Sequence, residues 1–266
     1  VQELEAECGY GLFHRHSQGL RLTRRGAALV EPARAMAGAA DALSRAAAGR
    51  ESTLHGTVRL SANDVMGLEV LPAALTAFRR RHPQVEVELV VSNSASNLYR
   101  READMALRMF RPTQEDLVAR RLPDLALGFY CRRDYLGDDP PPETVEELLR
   151  HAVIGFDQDP QFIDAARALG IALSAGDFAL RCDSIAAQTR LLLAGAGVGV
   201  MHVGIAERHP ELVRVMRSLP IGPLELWLVC HRDVRHNRRI RALMDFLGEW
   251  LSADPYEGPR GASASP

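Results

Sequence analysis

From residue 57 onward the chain repeats one pattern: a short run of β-branched or apolar residues, a stretch with apolar residues at helical spacing, then a turn signal. TVRLS (57–61) reads as a strand and MGLEVLPAALTAFRRR (66–81) as a helix, stopped by Pro83 ahead of the strand VEVELVV (85–91). The strands continue with MALRM (105–109), LALGFYC (125–131), AVIGF (152–156), FALRC (178–182), VGVMH (198–202) and LELWLVCH (224–231). Helical segments at TVEELLR (144–150), SIAAQTRLLLAGAG (184–197) and RRIRALMDFLGEWL (238–251) separate several of them. A helix between two strands acts as a crossover, so the alternation predicts an α/β fold with mostly parallel sheets covered by helices on both faces.

The first 56 residues follow another rule. VQELEAE reads as the last two turns of an amphipathic helix, ended at Cys8-Gly9 where glycine takes a left-handed cap. Gln18-Gly19 is a turn signal between the arms GLFHRH and LRLT, which predicts a small hairpin, and Thr23 is placed to cap the helix that follows. Across this hairpin runs LFHRHSQGLRLTRRG (12–26), with four arginines, two histidines and no acid, in a chain whose net charge is only -2. Eleven alanines follow before Gly49, with Leu29, Met36 and Leu43 spaced by sevens. That is a long helix with a narrow apolar seam, bent at Pro32, and such a seam predicts a partner helix. GRESTLHG (49–56) reads as a linker.

Several function classes find no support. The four cysteines are far apart and form no CxxC spacing, and His231 and His236 have no carboxylate ligand pattern nearby, so neither a disulfide framework nor a metal is expected. Gly195, Gly197 and Gly199 close a helix instead of opening one, which is the wrong order for a dinucleotide loop. No GxSxG elbow or HExxH motif occurs, so we expect no enzyme and no cofactor. No apolar run reaches membrane-spanning length and the first residues do not read as a signal peptide, so no membrane partner and a cytoplasmic location are expected.

Three separated stretches, in order, resemble the LysR-type bacterial transcriptional regulators: LEAECGYGLFHRHSQGLRLTRRGAALVEPAR (4–34), GTVRLSANDVMGLEVLPAALTAFRRRHPQVEVEL (56–89) and RCDSIAAQTRLLLAGAGVGVM (181–201). The resemblance implies a winged helix-turn-helix, a long linker helix, and a two-lobed effector domain like the periplasmic solute-binding proteins. Residues 1–22 would be the end of the recognition helix plus the wing, and 23–50 the dimerisation helix. Residues 57–253 would be the effector domain, with one lobe about 58–125 and 225–253 and the other about 128–224. A disordered tail would follow at 254–266. LALGFYC and LELWLVCH would cross between lobes, and their pairing would form a hinge. The first part of the helix-turn-helix is absent from the front of the sequence, so the chain as written is expected to bind DNA weakly.

The same resemblance assigns roles. Arg15, Arg21, Arg24 and Arg25 supply long cationic donors to DNA phosphates from the wing, with Gln2 near the DNA on the recognition helix. Ser61, Asn63, Asp64 and Val65 lie where a strand ends and a helix begins, the place where α/β sheets gather ligands. The family often has hydroxyl residues at the positions of Asn63 and Val65, and here Asp64 either opposes an anion or simply caps its helix. Asp183 and Ser184 open the second lobe's helix, with Asp183 read as the cap and Ser184 as the effector donor. Arg108, at a strand end, has three options: a ligand carboxylate, Asp64, or the surface. The expected partners are DNA, a small polar effector of zwitterionic type, and a second copy in a homodimer or homotetramer. A plain solute-binding protein is the alternative, which would require export and has no use for the basic hairpin.

Overall fold

The computed structural model describes residues 2–16, 19–30, 32, 33, 36, 54–93, 103–112, 114, 116–232, 235 and 237–259, with the side chains of residues 2, 15, 16, 19 and 20 outside that description. The chain divides into two compact units, one of Val1–Ser52 with Ala95–Glu102 and one of Thr53–Ser94 with Ala103–Pro266.

In the first unit, helix α1 (Gln2–Cys8) ends at Gly9, whose φ of 72° is the left-handed cap expected of it. The Glu5 carboxylate then accepts from the backbone N–H groups of Leu12 (2.6 Å) and Phe13 (3.0 Å), tying the helix to the strand that follows. Strands β1 (Phe13–His16) and β2 (Gly19–Leu22) form an antiparallel hairpin with Phe13 opposite Leu22 and Arg15 opposite Leu20. Thr23 caps helix α2 (24–30) as expected: its hydroxyl oxygen accepts from Gly26 N–H at 2.9 Å, and the hydroxyl donates to Gly11 O at 3.0 Å. Gly26 lies against the Leu12 carbonyl, where any side chain would collide. Beyond α2 the chain is helical again at 32, 33 and 36, while residues 31, 34 and 35 around the bend expected at Pro32, Leu43 and most of the linker fall outside the described residues.

The second unit holds two sheets. The larger has five strands in the order β4-β3-β5-β12-β6, from β3 (Gly56–Ala62), β4 (Val85–Val91), β5 (Met105–Arg108), β6 (Leu117–Leu125) and β12 (Leu224–His231). The other joins β7 (Leu127–Arg132), β10 (Gly199–His202) and β11 (Leu212–Val215) in the order β10-β7-β11. A parallel pair, β8 (Ile154–Gly155) with β9 (Leu180–Arg181), reaches this sheet through a bridge from Val153 to Val198. Strand β3 is parallel to β4 and β5, but β12 runs antiparallel to β5 and β6, and β7 antiparallel to β10 and β11. The sheets are therefore mixed instead of mostly parallel. The cause is that the chain crosses into the second lobe along β6 and β7 and comes back along β12 in the opposite direction.

That path also corrects the expected hinge. LALGFYC does not pair with LELWLVCH beyond Leu125 opposite Leu224; β7 pairs with β10 and β11, and β12 pairs with β5 on one side and with β6 on the other, from Leu125–Leu224 to Leu117–His231. One residue, Ala126, separates β6 from β7.

Helix α3 (Leu71–Arg81) buries Leu71, Ala74 and Phe78 on one face, and the turn before it, Met66–Val70, is π-wound. Among the described residues one apolar cluster links Leu60, Met66, Leu71, Phe78 and Leu107 of the first lobe with Ile154, Leu192, Met201 and Ile205 of the second. A separate cluster, including Val153, Phe178, Val198 and Val215, surrounds Cys131, whose thiol burial pushes up to about 11. Helix α4 (Gln161–Ala168) and helix α5 (Ile185–Leu193) belong to the second lobe. The last helix, α6 (Arg238–Ala253), is capped by Asn237, whose side chain accepts from Arg239 N–H at 3.1 Å, and it returns to the first lobe with Ile240, Leu243, Leu247 and Leu251 buried. The segment expected to begin a disordered tail is instead folded from Asp254 to Gly258 through a backbone bond from Gly258 N–H to Asp254 O at 2.8 Å; residues 260–266 lie outside the described residues.

Candidate functional site

The end of β3 and the start of α5 meet where the two lobes face each other. Asn63 caps its own helix: its side-chain oxygen accepts from Met66 N–H at 2.9 Å, and its amide donates to the Met109 sulfur at 3.2 Å. With that role filled, Asp64 turns outward. One carboxylate oxygen accepts from Val65 N–H at 2.7 Å. The other accepts from the Ser184 hydroxyl at 2.6 Å and from Ala186 N–H at 3.3 Å, on the opposite lobe 120 and 122 residues away. Asp64 thus places a negative charge at the N-terminus of α5, where free N–H groups and the helix dipole favour one. Asn93 holds it from behind, accepting from Asp64 N–H at 3.0 Å.

On the second lobe the cap expected of Asp183 falls to Ser184, and Asp183 takes a third role. Ser184 is the cap of α5, its oxygen accepting from Ala187 N–H at 3.2 Å. Asp183 accepts from the backbone N–H groups of Asp157 (2.9 Å), Gln158 (3.0 Å) and Asp159 (3.2 Å) of its own lobe. The N–H groups of Asp159 and Gln158 hold its carboxyl below the ordinary carboxylate value. Asp183 is therefore a brace for the 157–159 loop, because three converging donors outcompete one helix end.

The remaining expected residues separate. Ser61 and Val65 are fully buried, and Val65 packs in the apolar cluster of the first lobe. Arg108 is buried too, and its Nη2 donates to Ser61 Oγ at 3.2 Å, which removes the surface option. In the first unit Arg21 and Arg24 are exposed, and Arg25 lies 4.9 Å from the Tyr10 ring centroid in a cation–π contact. For Gln2 and Arg15 the backbone is described, in α1 and β1, and the side chains are not.

A second junction between the lobes escaped the sequence reading. Glu69, on the π-wound turn, pairs with Arg208 at 3.0 Å and with Arg190 at 3.4 Å, and its carbonyl accepts from Arg208 Nη1 at 3.3 Å. Glu69 is the lone charged residue of MGLEV, with no sequence neighbour to mark its partners, so nothing local announced the pairing. Behind the cleft, buried Gln188 donates to Gly155 O (3.3 Å) and Cys182 O (2.6 Å) and fixes the base of α5. The lobes are thus in contact through Asp64, through Glu69 and through a shared apolar core.

Among the described residues no cluster of three His, Cys, Asp or Glu gathers that could hold a metal, and no helix is long and apolar enough to cross a membrane. Two α/β lobes joined by crossing strands, with polar helix starts facing one another, define a two-lobed binding domain of the periplasmic-binding-protein type.

The LysR substrate binding domain family model matches residues 51–252, and the chain belongs to the LysR family. It is 30% identical to the transcriptional regulator CrgA of Neisseria meningitidis over 156 residues, which is 59% of this chain and 52% of that protein. It is 27% identical to the regulator PtxR of Pseudomonas aeruginosa, over 96% of this chain and 84% of that one. Among solved structures, that of CrgA superposes with a TM-score of 0.67 at 26% identity, covering 94% of this chain and 87% of CrgA. The full-length structure of AphB from Vibrio cholerae shares the fold, with a TM-score of 0.66 at 19% identity, covering 92% of this chain and 86% of that one.

Proposed function

We propose that the chain is an effector-responsive transcriptional regulator whose small polar ligand acts at the contact between Asp64 and the start of α5. The observation that carries this is the hydrogen bond from Ser184 to Asp64, with Ala186 beside it: it joins the two lobes through groups a polar ligand would also use. A zwitterion suits the surroundings, with an ammonium group for Asp64 and a carboxylate for Arg108. Ligand binding shifts the lobes toward whichever arrangement binds it better, and by no more than that difference in affinity. In the first unit, Arg15 and Arg21 of the hairpin with Arg24 and Arg25 just after it would engage DNA phosphates, Gln2 on α1 would lie near the DNA, and the Ala-rich helix would pair with a second copy. The relatives named as transcriptional regulators support this reading over a stand-alone solute-binding protein or an enzyme.

A thermal-shift screen of zwitterionic and other small polar metabolites tests the site. A ligand at 100 times its dissociation constant adds about 2.7 kcal/mol to stability, which raises the melting temperature measurably. The shift should disappear in Asp64→Ala. A ligand whose shift survives that substitution binds elsewhere, and the assignment fails.

A further inference from the structure

The end of α6 does not run free into solvent. The carboxylate of Asp254 accepts from the N–H groups of Tyr256 (2.8 Å) and Glu257 (3.1 Å), and Gly258 N–H donates to Asp254 O at 2.8 Å, closing a turn. Gly258, at φ 76°, lies flat against the Trp250 indole, where any side chain would collide with the ring. The turn is thereby seated on the first lobe's last helix, and it carries Tyr256 over to the second lobe. There the phenol ring covers Gly204 so closely that a methyl group at 204 would overlap it. The Tyr256 hydroxyl and His202 Nδ1 are 2.9 Å apart in a hydrogen bond.

The socket for Tyr256 is at the passage between lobes. His202 stands opposite Leu127 in the ladder of β10 and β7, and Val203 N–H donates to Ala126 O at 2.9 Å. Ala126 is the single residue between the strand that ends in one lobe and the strand that begins in the other. His202 is only 2% exposed, and burial lowers its pKa to about 4, so the imidazole is neutral at ordinary pH and the contact is a neutral hydrogen bond.

We propose that Asp254–Gly258 is a strap, a further connection between the lobes beside the two passages of the chain and the contacts at Asp64, at Glu69 and in the apolar core, which limits rotation at Ala126 and so sets how far the contact at Asp64 opens. A covalent passage of one residue leaves rotation about its own dihedrals. A ring locked on Gly204 and a hydroxyl locked on His202 oppose that rotation directly. The strap requires no ligand, so it stands or falls apart from the effector reading.

Amide exchange followed residue by residue in the whole chain, for wild type, Tyr256→Ala and Tyr256→Phe, tests it. The Val203 amide reports the passage, and the Ala186 amide, held by Asp64 of the other lobe, reports the far end of the cleft. Ala187, held by Ser184 of its own lobe, is the internal reference. In Tyr256→Ala, exchange at Val203 and Ala186 should rise together by about tenfold, with Ala187 and the β3 amides unchanged. Tyr256→Phe keeps the ring and removes the hydroxyl, and should raise the same two amides by a smaller factor. Two results overturn the proposal. One is faster exchange confined to residues 254–258, which would make the turn a passive end. The other is a uniform rise that includes the β3 amides in both variants, which would make Tyr256 an ordinary contributor to stability.

Discussion

Each lobe of the second unit opens a helix at the cleft with one neutral polar residue and one acid: Asn63-Asp64 in the first, Asp183-Ser184 in the second. Their order along the chain is reversed, and so is their use. In the first lobe the amide caps its own helix and the carboxylate reaches across to the other lobe. In the second the hydroxyl caps the helix, and the carboxylate turns back to hold the 157–159 loop of the same lobe. Once a short side chain satisfies the helix start, a neighbouring carboxylate goes to whichever unsatisfied N–H groups its lobe leaves within reach. For Asp64 those belong to the opposite helix, and for Asp183 to its own loop. Only the first acid therefore couples the lobes.

The contrast can be broken first at the position next to Asp64. If residues 63–65 formed one continuous ligand surface, a hydroxyl at 65 would be tolerated. Val65 is instead fully buried, so Val65→Ser should cost about 3 kcal/mol, from lost apolar burial plus an unsatisfied hydroxyl. Urea denaturation reads this, and a cost near zero would return Val65 to the cleft. A smaller effect sharpens the comparison between the acids. Asp64→Ala and Ser184→Ala should each cost about 1 kcal/mol, with an interaction energy of at least ~0.5 kcal/mol in the double variant because they share a hydrogen bond. Asp64→Ala and Asp183→Ala share no partner and should add. An additive Asp64–Ser184 pair would remove the direct coupling between lobes at this contact.

What the sequence discloses follows from how far away each partner lies. The hairpin at Phe13–Leu22, the Thr23 cap and the turn at Gly9 depend on residues within about a dozen positions, and all are formed. The alternation of strands and helices likewise specified an α/β class. Strand β6 was not legible, because Arg120, Arg121 and Pro123 interrupt its apolar pattern. As an edge strand it tolerates both the charge and the missing N–H of proline. The partner of Asp64, 120 residues on, has no local signature, and for Asp183 the sequence offered a cap where the folded loop at 157–159 offers three donors. Tyr256 failed for the same reason: its seat is made by Gly204 and His202, and nothing in YEGPRGASASP indicates that they wait for it.

The smallest expected effect separates the acids by pH. The N–H groups around Asp183 favour its charged form and lower its folded-state pKa below the ordinary value, so the unfolded chain binds the proton more readily. Its contribution to stability is therefore fully present above the ordinary carboxylate range, about pH 4, and is lost as the pH falls through the lower folded value. Asp183→Asn removes that contribution at every pH. The stability gap between wild type and Asp183→Asn should hold steady from neutral pH down to about pH 5 and shrink below about pH 4. Ser184→Ala supplies the control, because it removes a cap that does not titrate, and its gap should not follow this curve. Thermal melts of the three proteins across that range decide the matter, and an Asp183→Asn gap that stays constant into acid would mean the carboxylate's charge contributes nothing to holding the 157–159 loop.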